Sequence, residues 1–251
     1  LVMRCIIMLR PPIATLYETI LFITASAVLL CLILEYFDRK KIAIAAAAVV
    51  GAAGMFLALR YEIKEAVEGR GDTMVTLQAV LRSNFWLGTH VIIINLGYAS
   101  ALLGSVLSAA YIFMRLVRGG AADNEAEKSI TRMVYGIICF TLVFSLVGTV
   151  LGGIWANDSW GRFWGWDPKE NGALMIVLWS LVILHARMGG YIKRVGLHSA
   201  SLILGIITVF SWWGVNELDV GLHSYGRTSG VAQKLMVAYL SGCAVVVLGG
   251  V

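Results

Sequence analysis

Seven long apolar stretches, separated by shorter polar segments, dominate the pattern of this 251-residue chain. They lie near residues 13–37, 42–59, 84–114, 132–153, 172–188, 196–216 and 231–250. A helix needs about 20 apolar residues to cross a bilayer, and only helices or closed barrels satisfy their backbone groups there. The pattern therefore predicts an all-α, polytopic transmembrane helix bundle of about seven spans. The third stretch is too long for one straight crossing, which predicts that it tilts or projects from the membrane.

Composition supports the bilayer as the solvent of this chain. Hydrophobic residues make up 59% and charged residues only 14%, against about 25% charged in a soluble domain. The net charge of +5 comes from scattered residues with no basic run beyond 39–41, so nucleic acid is not an expected partner. The four cysteines form no CxxC or CxxCH motif, so the chain is not itself a c-type cytochrome. We expect a single transmembrane domain over residues 1–251.

The connecting segments predict an orientation. With seven spans, the segments 38–41, 115–131 and 187–195 share one side. The N-terminus and the segments 60–83, 154–171 and 217–230 share the other, and 60–83 is expected to form an interfacial amphipathic helix. Lys plus Arg counts are equal on the two sides. The first side keeps its positive charges in short segments with few acids, which favours a cytoplasmic location for it.

The most informative segment is 154–171, a predicted loop rich in aromatic residues. Its tryptophans, interleaved with Gly, Asp, Asn and Arg, are Trp155, Trp160, Trp164 and Trp166. A membrane-interface belt explains one or two of them. A flat aromatic shelf with hydrogen-bonding groups suits a large planar ligand, and Arg162 or Lys169 is suited to bind a carboxylate on it.

Asp167 directly follows the last of these tryptophans. We count it among the polar groups of the shelf, although a helix cap explains it at least as well. Pro168 and Glu170 fit the first turn of a helix, which predicts that the fifth span begins here.

The four histidines fall near the predicted membrane boundaries. His90 and His223 lie on the same side as the tryptophan segment, and two imidazoles beside an aromatic shelf can supply both axial ligands of a haem iron. His185 lies near the opposite end of the fifth span and indicates a second, inner haem site, because ionisable groups at membrane depth mark cofactors or pathways. His198 begins the sixth span on that same opposite side and is expected to be a satisfied interfacial residue.

The run WGRFWGWDPKEN at 160–171 resembles the WWD signature of haem-handling proteins of cytochrome c biogenesis. The Asp-Pro-Lys-Glu ending resembles the CcsA/ResC type, which belongs to the System II cytochrome c synthases. The CcmC type ends differently after the Asp, and the CcmF type, which shares Asp-Pro-x-Glu-Asn, is much longer. Further segments similar to the CcsA type lie at 14–19, 84–90, 184–187 and 214–226.

The resemblance implies a site and partners. His90 and His223 would ligate the iron of haem b on the extracytoplasmic side, and His185 would help form an entry site. A CcsB-type membrane partner, to which no segment here is similar, would supply another transmembrane histidine. The chain would act in a bacterial cytoplasmic or a thylakoid-type membrane as a component of a haem lyase, presenting haem to the CxxCH thiols of an apocytochrome c. None of its residues is an obvious catalytic acid or base.

Three other interpretations remain open from the sequence. A CcmC-like shuttle would use the same shelf to deliver haem without attaching it. A b-type electron-transfer cytochrome would bracket haem between histidines on adjacent spans. A transporter or structural membrane protein would use no haem at all.

Overall fold

The computed structural model describes residues 1–67, 79–119, 124–215, 218, 220–223, 237 and 239–246. Within these residues the regular elements are all helical. They are α1 (Val2–Met8), α2 (Leu16–Asp38), α3 (Ile42–Val67), a 3₁₀ turn (Ala79–Arg82), α4 (Asn84–Trp86), a π-helical turn (Leu87–Val91), α5 (Ile92–Val117), α6 (Glu125–Trp160), α7 (Pro168–Met188), α8 (Arg194–Val209) and a second π-helical turn (Phe210–Gly214).

Six segments of the described chain are long and apolar enough to cross a membrane. They are Leu16–Asp38, Ile42–Lys64, Asn84–Val117, Glu125–Trp160, Pro168–Met188 and Arg194–Gly214. The all-α transmembrane prediction is confirmed, and the chain is an integral membrane protein. The seventh predicted span, 231–250, falls largely outside the described residues, although residues 239–246 are helical.

Several helix ends differ from the predicted ones. The fourth span continues past residue 153 to Trp160, so Trp155 and Trp160 are helical and only residues 161–167 form the connection to α7. No strong helix breaker precedes Gly161, whose positive φ of 71° makes it the C-cap. Likewise α3 extends to Val67 without a break, so the first part of the interfacial helix predicted at 60–83 belongs to the span, and 68–78 lie outside the described residues.

Helix α5 lies at the centre of the bundle and packs against α2, α6 and α8. Glycines bring its backbone close to its neighbours. A Cβ on Gly97 would lie 2.5 Å from the Oγ of Ser145 on α6, and one on Gly148 would lie 2.8 Å from the Cα of Ile94. Small residues allow such close helix packing in membranes, where the hydrophobic effect does not drive association.

His198 is fully buried between three spans. Its Nε2 lies 3.0 Å from Thr131 Oγ1 on α6, and its Nδ1 lies 3.0 Å from Ser108 Oγ on α5. The ring also stacks on Tyr111 at a centroid distance of 3.7 Å. Both nitrogens therefore have partners, as expected of a satisfied residue, but the ring is buried inside the bundle and is not interfacial.

A second polar cluster ties α1 to α2. The carboxylate of Glu18 is fully buried and lies 3.2 Å from Arg4 and 2.8 Å from Arg10. It also accepts a hydrogen bond of 3.0 Å from the backbone N–H of Ala14. The sequence pattern did not predict α1, which is only seven residues long.

Candidate functional site

Consecutive spans run in opposite directions because each short connection returns the chain into the bundle. One end of the bundle, which we call the tryptophan end, therefore holds residues 161–167, the start of α4, the end of α6, the start of α7 and, among the described residues after α8, 210–215 and 220–223. Eight of the nine predicted site residues lie at this end. The exception is His185, at the opposite end of α7.

His90 lies in the first π-helical turn and faces α6. Its Nδ1 is 2.8 Å from the carbonyl oxygen of Gly148. Since a carbonyl only accepts, Nδ1 carries the proton and Nε2 keeps its lone pair, the arrangement typical of metal-ligating histidines. The ring meets Trp155 edge to face at a centroid distance of 5.6 Å, and the Trp86 indole lies nearly parallel to Trp155. A π turn inside an α-helix frequently marks a functional site.

His223 lies beside the other end of the tryptophan segment. Its ring meets Trp160 edge to face at 4.9 Å, and its Nδ1 is 3.1 Å from Asp167 Oδ1. That distance is within ion-pair range, but the angles are not those of a hydrogen bond, so Asp167 acts on the ring chiefly through its charge. Burial lowers the pKa of His223, and the Asp167 carboxylate opposes this shift.

Asp167 is buried and joins two parts of the site. One carboxylate oxygen caps α7 by accepting the backbone N–H of Lys169 at 2.9 Å, and the other accepts the backbone N–H of Leu222. Burial alone would raise the pKa of Asp167, but these hydrogen bonds and His223 hold it below its usual value. The carboxylate thus connects the helix start to the segment that carries His223.

Glu170 and Asn171 fasten the connection between α6 and α7. One carboxylate oxygen of Glu170 accepts the backbone N–H of Gly165 at 2.8 Å and that of Asp167 at 3.1 Å, which completes a capping box. The Asn171 side chain donates to the Trp166 carbonyl at 3.0 Å. Trp166 has a φ of 57° and is 70% exposed. A positive φ is costly for a bulky residue, so these bonds hold Trp166 in a conformation it would not adopt alone.

The two cations predicted to bind a carboxylate already have partners in the protein. The ammonium of Lys169 donates to the carbonyl oxygen of Trp212 in the second π-helical turn at 2.9 Å. Arg162 lies over Trp160 at 5.9 Å and approaches Glu170 at 3.5 Å. Lys169 thereby connects α7 to the end of the sixth span.

Trp164 packs against the other tryptophan of the connection. It meets Trp166 almost at right angles, with ring centroids 6.0 Å apart. Its indole Nε1 is buried and has no hydrogen-bond acceptor among the described residues. The four predicted tryptophans therefore do not form one continuous shelf. Trp155 and Trp160 each contact a histidine, whereas Trp164 and Trp166 pair with each other.

His185 is exposed on the bundle surface, and its Nδ1 hydrogen-bonds to the carbonyl of Leu181 at 2.8 Å. Exposed apolar side chains lie along the same helix, at Leu178 and Val182. An ionisable residue on a membrane-facing surface is costly unless another group covers it.

Sequence reasoning missed several residues that shape this site. They are Trp86, Gly148, Gly152, Asn171 and Trp212, together with Lys169 as the donor to the Trp212 carbonyl. The Asp-x-x-Glu spacing of a capping box was a usable signal for Asp167 and Glu170. Asn171 acts locally, on the Trp166 carbonyl five residues earlier, whereas the other missed residues act through contacts between distant parts of the chain, which no local pattern reveals.

Comparison with known proteins places these features in a family. The model of the family described as cytochrome C assembly protein matches residues 13–223. A cytochrome c biogenesis protein CcsA from Synechococcus sp. (strain CC9311) is 32% identical over 86% of this chain and 79% of its own length. The CcsA protein of Manihot esculenta is 26% identical over 90% of this chain and 80% of its own length.

A third relative is much longer than this chain. Protein NrfI of Wolinella succinogenes is 31% identical over 90% of this chain, but the match spans only 24% of NrfI. No solved structure matches the chain. The match to the family model extends from before α2 to His223 and so includes both histidines of the tryptophan end. This chain belongs to the cytochrome c assembly protein family, and its role lies in cytochrome c maturation.

Proposed function

We propose that this chain is the CcsA-type subunit of a System II cytochrome c synthase, which binds haem b between His90 and His223 and presents it to an apocytochrome c. The observation that supports the proposal is the location of these two histidines at the same end of the bundle, each edge-on to its own tryptophan. They come from segments more than 130 residues apart in the chain.

The donor set fits a porphyrin better than a bare metal ion. The described residues contain no group of three or more His, Cys, Asp and Glu side chains able to hold a metal ion. A porphyrin supplies four nitrogens itself and needs only the two axial positions from protein. Nε2 of His90 is available for one of them because Nδ1 is bonded to Gly148.

In this arrangement Asp167 acts on His223, and the rings of Trp155 and Trp160 lie beside the two histidines and would contact the planar faces of the haem. The remaining predicted residues, Arg162, Trp164 and Trp166, lie farther along the connection. Haem handling needs orientation and exclusion of side reactions from the protein, since the reactive groups belong to haem and to the thiols of the CxxCH motif. We therefore assign no acid or base to this chain.

His185 and the exposed stripe around it form the proposed inner haem site. The cost of a bare imidazole on this surface would fall if a partner helix covered it. A CcsB-type membrane subunit that contributes its own histidine satisfies this requirement. With the His185 site at the inner end, the tryptophan end faces outward from a bacterial cytoplasmic or thylakoid-type membrane.

Absorption spectra test the proposal. The purified protein should show a Soret band, and its His90→Gly and His223→Gly variants should retain far less haem per folded protein. Added imidazole should partly restore the band, because it can fill the vacant axial position. Normal haem retention in both variants would refute the ligand assignment.

A haem shuttle that attaches nothing would use the same histidines. Co-expression with a CcsB-type partner and an apocytochrome c distinguishes the two activities. Covalent haem on the apocytochrome supports the synthase, whereas haem-loaded protein without holocytochrome supports the shuttle. Reversible reduction by quinol would instead favour a b-type electron carrier.

A further inference from the structure

The space beside the His90 ring is defined by the backbone of α6. A Cβ on Gly152 would lie 2.7 Å from His90 Cε1, 3.1 Å from Nδ1 and 3.3 Å from Nε2. One turn earlier on the same helix, the Gly148 carbonyl binds Nδ1. The edge of the imidazole that carries both nitrogens thus lies against a glycine.

We propose that Gly152 is a positioning residue for His90, and that the missing side chain at this position keeps the imidazole on the Gly148 carbonyl with Nε2 available to iron. This inference rests on the proposed role of His90 as an axial ligand. It goes beyond that role because it names the feature of α6 that fixes the tautomer and direction of the ring.

The constraint on the side chain at position 152 is steric. Real Cβ atoms essentially never approach another heavy atom as closely as 2.7 Å, so an alanine at 152 must displace the ring or separate α5 from α6. Since Nδ1 is also within 3.1 Å of the added methyl group, the displaced ring loses its bond to Gly148. Nothing then specifies which nitrogen carries the proton.

Neighbouring glycines on α6 have other contacts. A Cβ on Gly148 would meet Ile94, and one on Gly153 would meet Phe163 at 2.6 Å. Gly152 is the one of these three whose missing side chain faces a histidine.

The test compares three glycine-to-alanine variants of the full-length protein. Gly152→Ala should weaken haem retention by about 10–100-fold, the usual effect of losing an outer-shell contact to a metal ligand. Gly136→Ala on the same helix has no heavy atom within 4 Å of the added Cβ and should behave as wild type. Gly97→Ala creates a clash with Ser145 at the same α5–α6 interface, 2.5 Å from its Oγ. It should lower thermal stability while retaining more haem per folded protein than Gly152→Ala.

A double-mutant cycle separates positioning from packing. In a His90→Gly background no ring remains to be displaced, so adding Gly152→Ala should cause no further loss of haem. The ferric low-spin signal in electron paramagnetic resonance should report bis-histidine ligation in the wild type and a changed ligand field in Gly152→Ala.

Three results would overturn the inference. They are wild-type haem retention by Gly152→Ala, an equal loss in Gly97→Ala, and additive losses in the double variant. Each leaves the proposed function intact as long as His90→Gly loses haem. If His90→Gly retains haem, the proposed function fails as well.

Discussion

Asp167 is a single residue whose two carboxylate oxygens face different parts of the chain. One oxygen holds the first turn of α7, and the other holds the backbone at Leu222, beside His223. Gly221 makes this approach possible, because its φ is 91° and a Cβ there would lie 2.1 Å from the carboxylate. Asp167 is therefore better understood as the residue that anchors His223, the proposed iron ligand, than as a group that binds haem itself.

Replacing Asp167 by Asn should separate these functions. Asn caps helices about as well as Asp, so α7 should still begin at Pro168. The amide cannot accept hydrogen bonds through both of its end atoms and carries no charge to face His223. We expect haem retention to fall about 10–100-fold, with a loss of stability limited to the about 1–3 kcal/mol that one unsatisfied buried N–H group costs. Soret absorbance per folded protein measures this, and Asp158→Asn, an exposed change on α6, is the control. Retention equal to that control would contradict the anchoring role.

His198 should respond in the opposite way. Its replacement by Ala leaves the buried Ser108 hydroxyl without its ring partner and removes the Tyr111 stack, while Thr131 keeps its hydrogen bond to the Glu127 carbonyl. Each buried polar group left unsatisfied costs about 1–3 kcal/mol. Thermal unfolding in detergent should show a clear loss of stability, and haem per folded protein should stay unchanged. A fall in haem to the level of His90→Gly would show that this residue belongs to a haem site.

Single residues also show where sequence reasoning stops. The tryptophans and both outer histidines were identifiable because their types are rare and chemically specific. Lys169 and Arg162 were predicted to be available cations, yet each is engaged by a protein group, the Trp212 carbonyl and Glu170. These partners lie on another helix or in the next turn, so residue type alone does not reveal them.

The first turn of α7 is an element with two tasks. It starts a span, and its side chains at 167, 169, 170 and 171 fasten the connection from α6, the second π-helical turn and the segment before His223. A helix start suits this work because its free backbone N–H groups and its side chains lie at the membrane boundary. The Asp-Pro-Lys-Glu-Asn run is therefore explained by hydrogen bonds, some within the connection from α6 and others to the distant residues Trp212 and Leu222.

Glu170→Ala should loosen this connection. The change removes the acceptor of the Gly165 and Asp167 backbone N–H groups, each worth about 1 kcal/mol. Local opening should become about 10–30-fold more frequent, and chymotrypsin, which cleaves after aromatic residues, should cut 161–167 correspondingly faster. The matched control is Glu125→Ala in the first turn of α6, an exposed residue at the opposite end. Equal cleavage rates in the two variants would exclude the proposed fastening.

Helix existence was predictable and helix ends were not. Apolar length is a strong signal for spans, and six of the predicted spans have counterparts. The end of α6 depends on Gly161 adopting a left-handed conformation after two helical tryptophans, Trp155 and Trp160, in a part of the sequence whose hydropathy is already low. The π-helical turns at His90 and Trp212 change the register inside apolar runs, and periodicity does not resolve such a change.

At the scale of the whole molecule, the bundle divides its histidines between two ends. His90 and His223 share the tryptophan end, His185 lies on the surface near the other, and His198 fixes three spans between them. A chain that moved haem across a membrane would need sites at both boundaries. The orientation of the bundle then decides which site receives haem and which one presents it.

Cysteine accessibility tests that orientation. In a background with Cys5, Cys31, Cys139 and Cys243 replaced by Ser, two single cysteines mark the two ends. Ser159→Cys lies near the exposed end of α6, and Tyr191→Cys lies in the basic connection between α7 and α8, where the native side chain is 87% exposed. Because positively charged short loops stay in the cytoplasm, a membrane-impermeant maleimide should label Ser159→Cys in intact cells and Tyr191→Cys only after permeabilisation. The reverse pattern would place the tryptophan end in the cytoplasm, where haem bound there could not meet an exported apocytochrome, and the proposed direction of transport would be wrong.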